Sequence, residues 1–225
     1  MLAIRDLRFA WPGGADCVHI DALDVAAGQT LFLHGPSGCG KSTLLGLMAG
    51  VLQPRQGSVS LLDQDWSALS AGGRDARRAE HVGVIFQQFN LLPYLSVIDN
   101  VLLPCGFSAA RALRCAVPPA EAAQELLQRM GLASPLWSRR ADALSVGQQQ
   151  RVAAARALMG RPELVIADEP SSALDAARRD DFMSLLLDEC RAGGSTLVFV
   201  SHDERLAARF DARLSLPELN QAAAS

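Results

Sequence analysis

Gly35-Pro36-Ser37-Gly38-Cys39-Gly40-Lys41-Ser42-Thr43 is the stretch of this chain whose residue types are most committed to one chemistry. It fits G-x-x-x-x-G-K-[ST], where glycines let successive backbone N–H groups turn inward around phosphate oxygens. Lys41 can reach the β- and γ-phosphates of a nucleoside triphosphate, and the Ser42 hydroxyl can bind Mg2+. A helix starting there adds the positive potential of its N-terminus. By composition alone the pattern arises by chance in about one chain in a hundred, so its flanks matter. A second stretch, Leu164-Val165-Ile166-Ala167-Asp168-Glu169, is an apolar strand ending in two carboxylates. Neighbouring strand residues face opposite ways, so the two acids take different jobs. Asp168 suits the coordination shell of Mg2+. Glu169, turned toward the nucleotide, suits orienting and deprotonating an attacking water, work worth roughly 10²–10⁴ in rate. By itself an Asp-Glu-Pro strand end is as often a solvated turn; beside a phosphate loop the catalytic reading prevails.

These groups need elements to hold them. Ile4 to Trp11 and Val18 to Val25 alternate like half-buried antiparallel strands around a Pro12-Gly13-Gly14 turn. Thr30 to His34 is a short apolar strand opening into the glycine-rich loop, and a helix follows to about Ala49, closed by Gly50 and Pro54. Ser58 to Leu62 and Val82 to Phe86 read as further strands. From about Asn100 to Gly160 the periodicity is helical, most clearly over Ala120 to Met130. Apolar strands return at Leu164 to Ala167 and Thr196 to Val200, with a helix of about Ala176 to Cys190 between them. The alanine-rich tail after Pro217 is expected to fray. Four apolar strands thus run directly into polar groups: the glycine-rich loop, Gln87, Asp168-Glu169 and His202. If they are parallel neighbours, those groups converge just beyond the carboxyl ends of one sheet, where open α/β sheets bind ligands.

Composition narrows the function classes. The length of 225 residues fits one large domain, and 49% apolar residues can supply its core. A net charge of -3 without a long basic tract argues against a nucleic-acid groove. Cys17, Cys39, Cys105, Cys115 and Cys190 form no CxxC pair and no metal-type cluster, which points to a reducing, cytoplasmic setting. The N-terminus carries Asp6 early and reads as a first strand rather than a signal peptide. No stretch approaches the roughly 18 apolar residues of a spanning helix. Any membrane role is therefore expected to come through a partner.

Leu144-Ser145-Val146-Gly147-Gln148-Gln149-Gln150-Arg151 lies between the phosphate loop and the Asp168 strand and resembles the signature motif of ATP-binding-cassette proteins. With Gln87 in the place of the Q-loop, Ser172-Ala173-Leu174-Asp175 in that of the D-loop and His202 in that of the switch histidine, the resemblance covers nearly the whole chain. It implies an α/β P-loop NTPase fold with a mixed or parallel sheet core, a small antiparallel β subdomain and an inserted α-helical subdomain. The core and β subdomain would take about 1–87 and 161–217, the helical subdomain about 88–160, and the tail 218–225. The resemblance also assigns roles. Trp11 stacks on adenine, although a packed core tryptophan is the plainer alternative. Gln87 senses the γ-phosphate and the metal, and His202 contacts the γ-phosphate. Ser145, Gly147 and Gln148 meet the ATP held by a second copy of the chain, in a head-to-tail dimer bridged by Asp175. The cofactors implied are ATP and Mg2+. The partners implied are that second copy and an integral membrane permease on the inner face of the cell membrane, with no nucleic acid.

Val146 departs from the family's usual glycine, which removes backbone freedom and adds bulk where the partner's nucleotide docks. Phe86-Gln87-Gln88-Phe89-Asn90-Leu91-Leu92-Pro93 resembles the branch of lipoprotein-release, macrolide-export and cell-division cassettes. A non-transport cassette acting in division or signalling through a membrane partner is the alternative function. DNA-repair cassettes carry a long coiled-coil insertion and translation-type ones two cassettes per chain, and neither pattern is in this sequence.

Overall fold

The computed structural model describes residues 1–171 and 175–222, apart from the side chain of Ala176. The chain forms two compact units, Met1–Arg78 with Thr196–Ser225, and Ala79–Ser195.

The first unit begins with β1 (Leu2–Ala10) and β2 (Asp16–Val25), paired antiparallel from Leu2 opposite Val25 to Phe9 opposite Val18. Leu2 and Ile4, then Leu7 and Phe9, of β1 enter the core, the alternation changing phase at the left-handed Asp6, and Val25, Leu23, Ile20 and Val18 of β2 lie buried opposite them. The Gly14 N–H closes the intervening turn on the Trp11 carbonyl at 2.9 Å. β3 (Thr30–His34), buried along nearly its whole length, leads through the glycine-rich loop into α1 (Lys41–Met48). β4 (Gln56–Leu61) pairs antiparallel with the other edge of β1, and β5 (Gln64–Asp65) adds an edge to β4. The fully buried Trp66 then covers the end of α1, its indole Nε1–H donating to the Met48 carbonyl at 3.1 Å. α2 (Ala71–His81) is a helix that the sequence reading did not identify. It is held by arginines that cap carbonyls: Arg77 Nη2 on Leu61 at 2.8 Å and Arg78 Nη1 on Gly50 at 3.3 Å.

The second unit contains β6 (Val82–Ile85), α3 (Val97–Phe107), α4 (Ala109–Leu113), α5 (Pro119–Arg129), α6 (Val146–Leu158), β7 (Leu164–Asp168) and α7 (Ala176–Gly193). α6 is its central helix, touching α3, α5, α7 and β6. Its buried Val152, Ala153, Ala154, Ala155 and Ala157 allow neighbours to come close. At Gly83 a Cβ would lie only 2.2 Å from the Ala157 carbonyl oxygen, so β6 can approach α6 only as glycine. β6 and β7 are parallel, with Val82 opposite Leu164 and Ile85 opposite Ala167.

The chain then returns to the first unit as β8 (Thr196–Val200), β9 (Ala212–Ser215) and α8 (Leu216–Leu219). β8 and β9 flank β3, both parallel to it. Phe32 stacks with Phe199 at 6.2 Å, and Phe210 tilts against both at 5.3 Å. The expectation of a fraying tail after Pro217 is corrected as far as the described residues reach. Asn220 and Gln221 are tied to β2, the Gln221 N–H donating to the His19 carbonyl at 2.8 Å; Ala223–Ser225 lie outside the described residues. Among the described residues no helix is long and apolar enough to cross a membrane.

The two tryptophans at opposite extremes of burial give a direct check on this packing. Trp66→Ala is expected to cost about 3–5 kcal/mol, from a large cavity and an orphaned Met48 carbonyl. Trp11→Ala, at a half-exposed site, should cost under about 1 kcal/mol. Denaturant midpoints followed by circular dichroism measure both, and equal losses would contradict the assignment.

Candidate functional site

In the first unit, β3 delivers the chain to Gly35 and α1 takes it away from Gly40. Gly40 has φ +99°, a left-handed turn that side-chain-bearing residues rarely adopt, and a Cβ there would lie 3.2 Å from the Cys17 carbonyl oxygen. Lys41 curls back over the loop, its Nζ donating to the carbonyls of Gly35 at 2.8 Å and Pro36 at 2.9 Å. The residue is only 9% exposed. Among the described residues this ammonium makes no ion pair. A buried cation held only by carbonyl dipoles is costly unless an anion completes its surroundings. Ser42 and Thr43 follow in the first turn of α1.

His202 belongs to the same end of the same strands. Val200 lies opposite Leu33 in the β8–β3 register, and the Ser201 N–H donates to the Leu33 carbonyl at 3.3 Å. Two residues beyond each member of that pair come His202 and Gly35, so the histidine and the phosphate loop leave the strands at one level. His202 is exposed. Trp11 sits just past β1, 52% exposed, edge-on to Phe9 with ring centroids 5.2 Å apart. Its ring is therefore available at a loop edge and is not a packed core side chain.

The second unit repeats the geometry with different groups. Ile85 faces Ala167 across β6 and β7, so Gln87 and Glu169, two residues further on in each strand, also emerge at one level. Asp168 is the last residue of β7. Glu169 has φ +44°, a conformation worth about 1–3 kcal/mol of strain in a residue other than glycine. Left-handed backbone recurs at Phe89 and Asn90, two and three residues after the exposed Gln87. Two buried or half-buried side chains hold that loop. Asn100 binds Leu92, its Oδ1 accepting from the N–H at 2.9 Å and its Nδ2 donating to the carbonyl at 3.1 Å. Arg156 of α6 donates from Nη1 to the Asn90 carbonyl and from Nη2 to the Phe89 carbonyl, both at 2.7 Å. Burial pulls the Arg156 guanidinium below its ordinary pKa. The sequence reading missed Arg156; its only signal is a lone charge inside the buried alanine run of α6.

Ser145 and Gln148 close the N-terminus of α6 as a capping box. The Ser145 Oγ accepts from the Gln148 N–H at 3.4 Å, and the Gln148 Oε1 accepts from the Ser145 N–H at 3.0 Å. Val146 is the first helical residue, half exposed, with no left-handed φ. No backbone freedom is lost there by having a side chain, and only its bulk distinguishes it from glycine. Gly131, Ser145, Val146, Gly147, Arg151 and Arg178 line an open cavity of about 460 Å³ at this helix end. Asp175 also faces it and caps α7, accepting from the Arg178 N–H at 3.0 Å. Ser172, Ala173 and Leu174 lie outside the described residues. The structure thus groups the phosphate loop with His202 in one unit, and Gln87 with Asp168 and Glu169 in the other.

A family model described as ABC transporter matches residues 18–172. The chain is 42% identical over 208 residues to the lipoprotein-releasing system ATP-binding protein LolD of Anaeromyxobacter dehalogenans (strain 2CP-C), covering 92% of this chain and 85% of that protein. It is 43% identical over 197 residues to the uncharacterized ABC transporter ATP-binding protein YbbA of Escherichia coli (strain K12), covering 86% and 83%. In fold it is similar to the dimeric bacterial ABC transporter cassette MJ0796, with a TM-score of 0.83 at 31% identity over 96% of this chain and 95% of that one. The MJ0796 dimer in a post-hydrolysis state bound to ADP and Pi matches with the same TM-score of 0.83, covering 96% of this chain and 94% of that one.

The Arg156 clamp has a direct structural readout. Arg156→Leu should speed amide hydrogen exchange across residues 87–92 while leaving β7 protected. Unchanged exchange in that loop would show that the two hydrogen bonds do not hold it.

Proposed function

This chain belongs to the ABC transporter family, and we propose that it is the ATP-hydrolysing subunit that dimerises on ATP to drive a separate integral membrane permease, of the lipoprotein-release or macrolide-export type. The observation that carries the nucleotide reading is the buried Lys41 ammonium, curled over a phosphate-type loop among carbonyl dipoles and, among the described residues, without an ion pair. The β- and γ-phosphates of ATP supply the missing negative charge, and the loop amides and the α1 N-terminus share it. Trp11 offers an exposed ring for the adenine.

Mg2+ fits the donor set. The Ser42 hydroxyl, the Asp168 carboxylate and the Gln87 amide are hard oxygen donors, and among the described residues there is no cluster of three His, Cys, Asp or Glu side chains. That favours a cation held by few protein ligands plus substrate phosphates. When bound, it neutralises charge on the β- and γ-phosphates. Glu169 orients the attacking water and takes its proton. His202 contacts the γ-phosphate from the level of the phosphate loop, and Gln87 reports its presence to the loop that Arg156 clamps.

The α6 N-terminus, with Ser145, Gly147 and Gln148, completes the site of a second copy, and Asp175 bridges the two. The dimeric relative MJ0796 supports this arrangement. The similarity to LolD supports the permease branch and a place on the inner face of the cell membrane. Residues 88–160 form the helical part through which the permease is engaged.

Two variants test this function. Lys41→Ala should abolish binding of a fluorescent ATP analogue and phosphate release; wild-type hydrolysis in that variant would remove the loop from the site. Glu169→Gln should still bind ATP, lose roughly 10²-fold or more of its turnover, and accumulate as an ATP-bound dimer on gel filtration. A monomer with full turnover refutes the role given to Glu169.

A further inference from the structure

The C-terminal segment touches both ends of the phosphate loop. At the first end, a Cβ on Gly35 would lie 3.0 Å from Pro217 Cδ and 3.6 Å from Leu216 Cβ. At the last end, the Asn220 Nδ2 donates to the Cys39 carbonyl at 3.4 Å and would be 3.8 Å from a Cβ on Gly40. The rest of the Asn220 amide is also engaged. Its Nδ2 donates to the Cys17 carbonyl at 3.0 Å, and its Oδ1 accepts from the N–H of His19 at 2.7 Å and of Ala222 at 3.2 Å. Its backbone N–H closes α8 on the Leu216 carbonyl at 2.7 Å. Leu216 is fully buried beneath it.

We infer that Leu216–Asn220 is a strut for the phosphate loop and that Asn220 is a positioning residue for ATP, a role that rests on the nucleotide reading above. The link is the planarity of the peptide unit. The Cys39 carbonyl and the Gly40 N–H belong to one rigid plane and point opposite ways. Holding the carbonyl from behind therefore fixes the direction of that N–H. Gly40 is a left-handed glycine, the residue least able to hold that orientation by itself. Asn220 suits the place because a primary amide offers two donors for the Cys17 and Cys39 carbonyls and an acceptor for the His19 N–H. An aspartate keeps the acceptor, loses both donors and sets a negative charge against two carbonyl oxygens.

The test uses the full chain and its ATP hydrolysis. Asn220→Ala should raise the KM for ATP by about 3–10-fold, the effect of one or two lost hydrogen bonds, with kcat within about 2-fold. Asn220→Asp, nearly the same size, should raise it at least as much, and it carries the comparison if the alanine variant is insoluble. Gln221→Ala is the control. It cuts the neighbouring tie to Asp21 at 2.7 Å and leaves every loop contact in place, so its KM should equal the wild type's. A wild-type KM in both Asn220 variants overturns the strut, as does an equal shift in Gln221→Ala, which would mean mere anchoring of the tail. If wild type and Lys41→Ala hydrolyse ATP equally well, the nucleotide reading itself has failed, and the two failures are told apart.

Discussion

A loop that binds phosphate with its own amides has no side chains left to hold its shape, and the rest of this structure is arranged around that constraint. The supports seen in the structure act on its carbonyls, beginning with the Cys39 N–H, which donates to the Pro36 carbonyl at 3.4 Å. Lys41 donates to the carbonyls of Gly35 and Pro36, and Asn220 to that of Cys39. At the far end of α1 the Trp66 indole holds the Met48 carbonyl, closing the helix whose N-terminus the loop feeds. These donors come from three regions of the sequence. Register adds the rest: with β8 and β9 parallel to β3, whatever follows Val200 must emerge beside whatever follows Leu33.

The second unit solves a related problem with strain. Glu169, Phe89 and Asn90 all carry left-handed backbone without being glycine. Such conformations persist only where the surroundings over-determine them. For Phe89 and Asn90 the determinant is visible, because one guanidinium spans both carbonyls from a buried position on α6. The same helix carries the Ser145–Gln148 capping box at its N-terminus. The loop after Gln87 and the Ser145–Gln148 cap are therefore both attached to one helix.

Most of the site was legible because its chemistry needs particular residues at fixed spacings. A phosphate loop demands glycine, lysine and serine in order, and a strand that ends in a carboxylate announces itself by its apolar run. The strands of the core were legible for the same reason, each being a short apolar block that stops at a polar group. What escaped were elements stabilised by other means. α2 has no apolar stripe, and arginine-to-carbonyl bonds hold it in place. β9 is only four residues long and is set by Asp211, whose carboxylate accepts from both the N–H and the hydroxyl of Thr30 at 2.8 Å. The tail looked disposable by composition, yet Asn220 and Gln221 tie it to β2, the former across 203 positions of sequence. Supports of this kind use side-chain-to-backbone bonds, which leave no periodic trace.

Val146 shows where a motif's chemistry and its lettering separate. At the third position of the signature the sequence suggests a loss, since glycine is replaced by a β-branched residue. The structure places that residue as the first of a helix, where φ is ordinary for any amino acid and Ser145 and Gln148 already satisfy the cap. A helix N-terminus attracts a phosphate through its backbone N–H groups and dipole, which Val146 supplies as well as glycine does. Its side chain is half exposed on the rim of the cavity rather than folded over those amides.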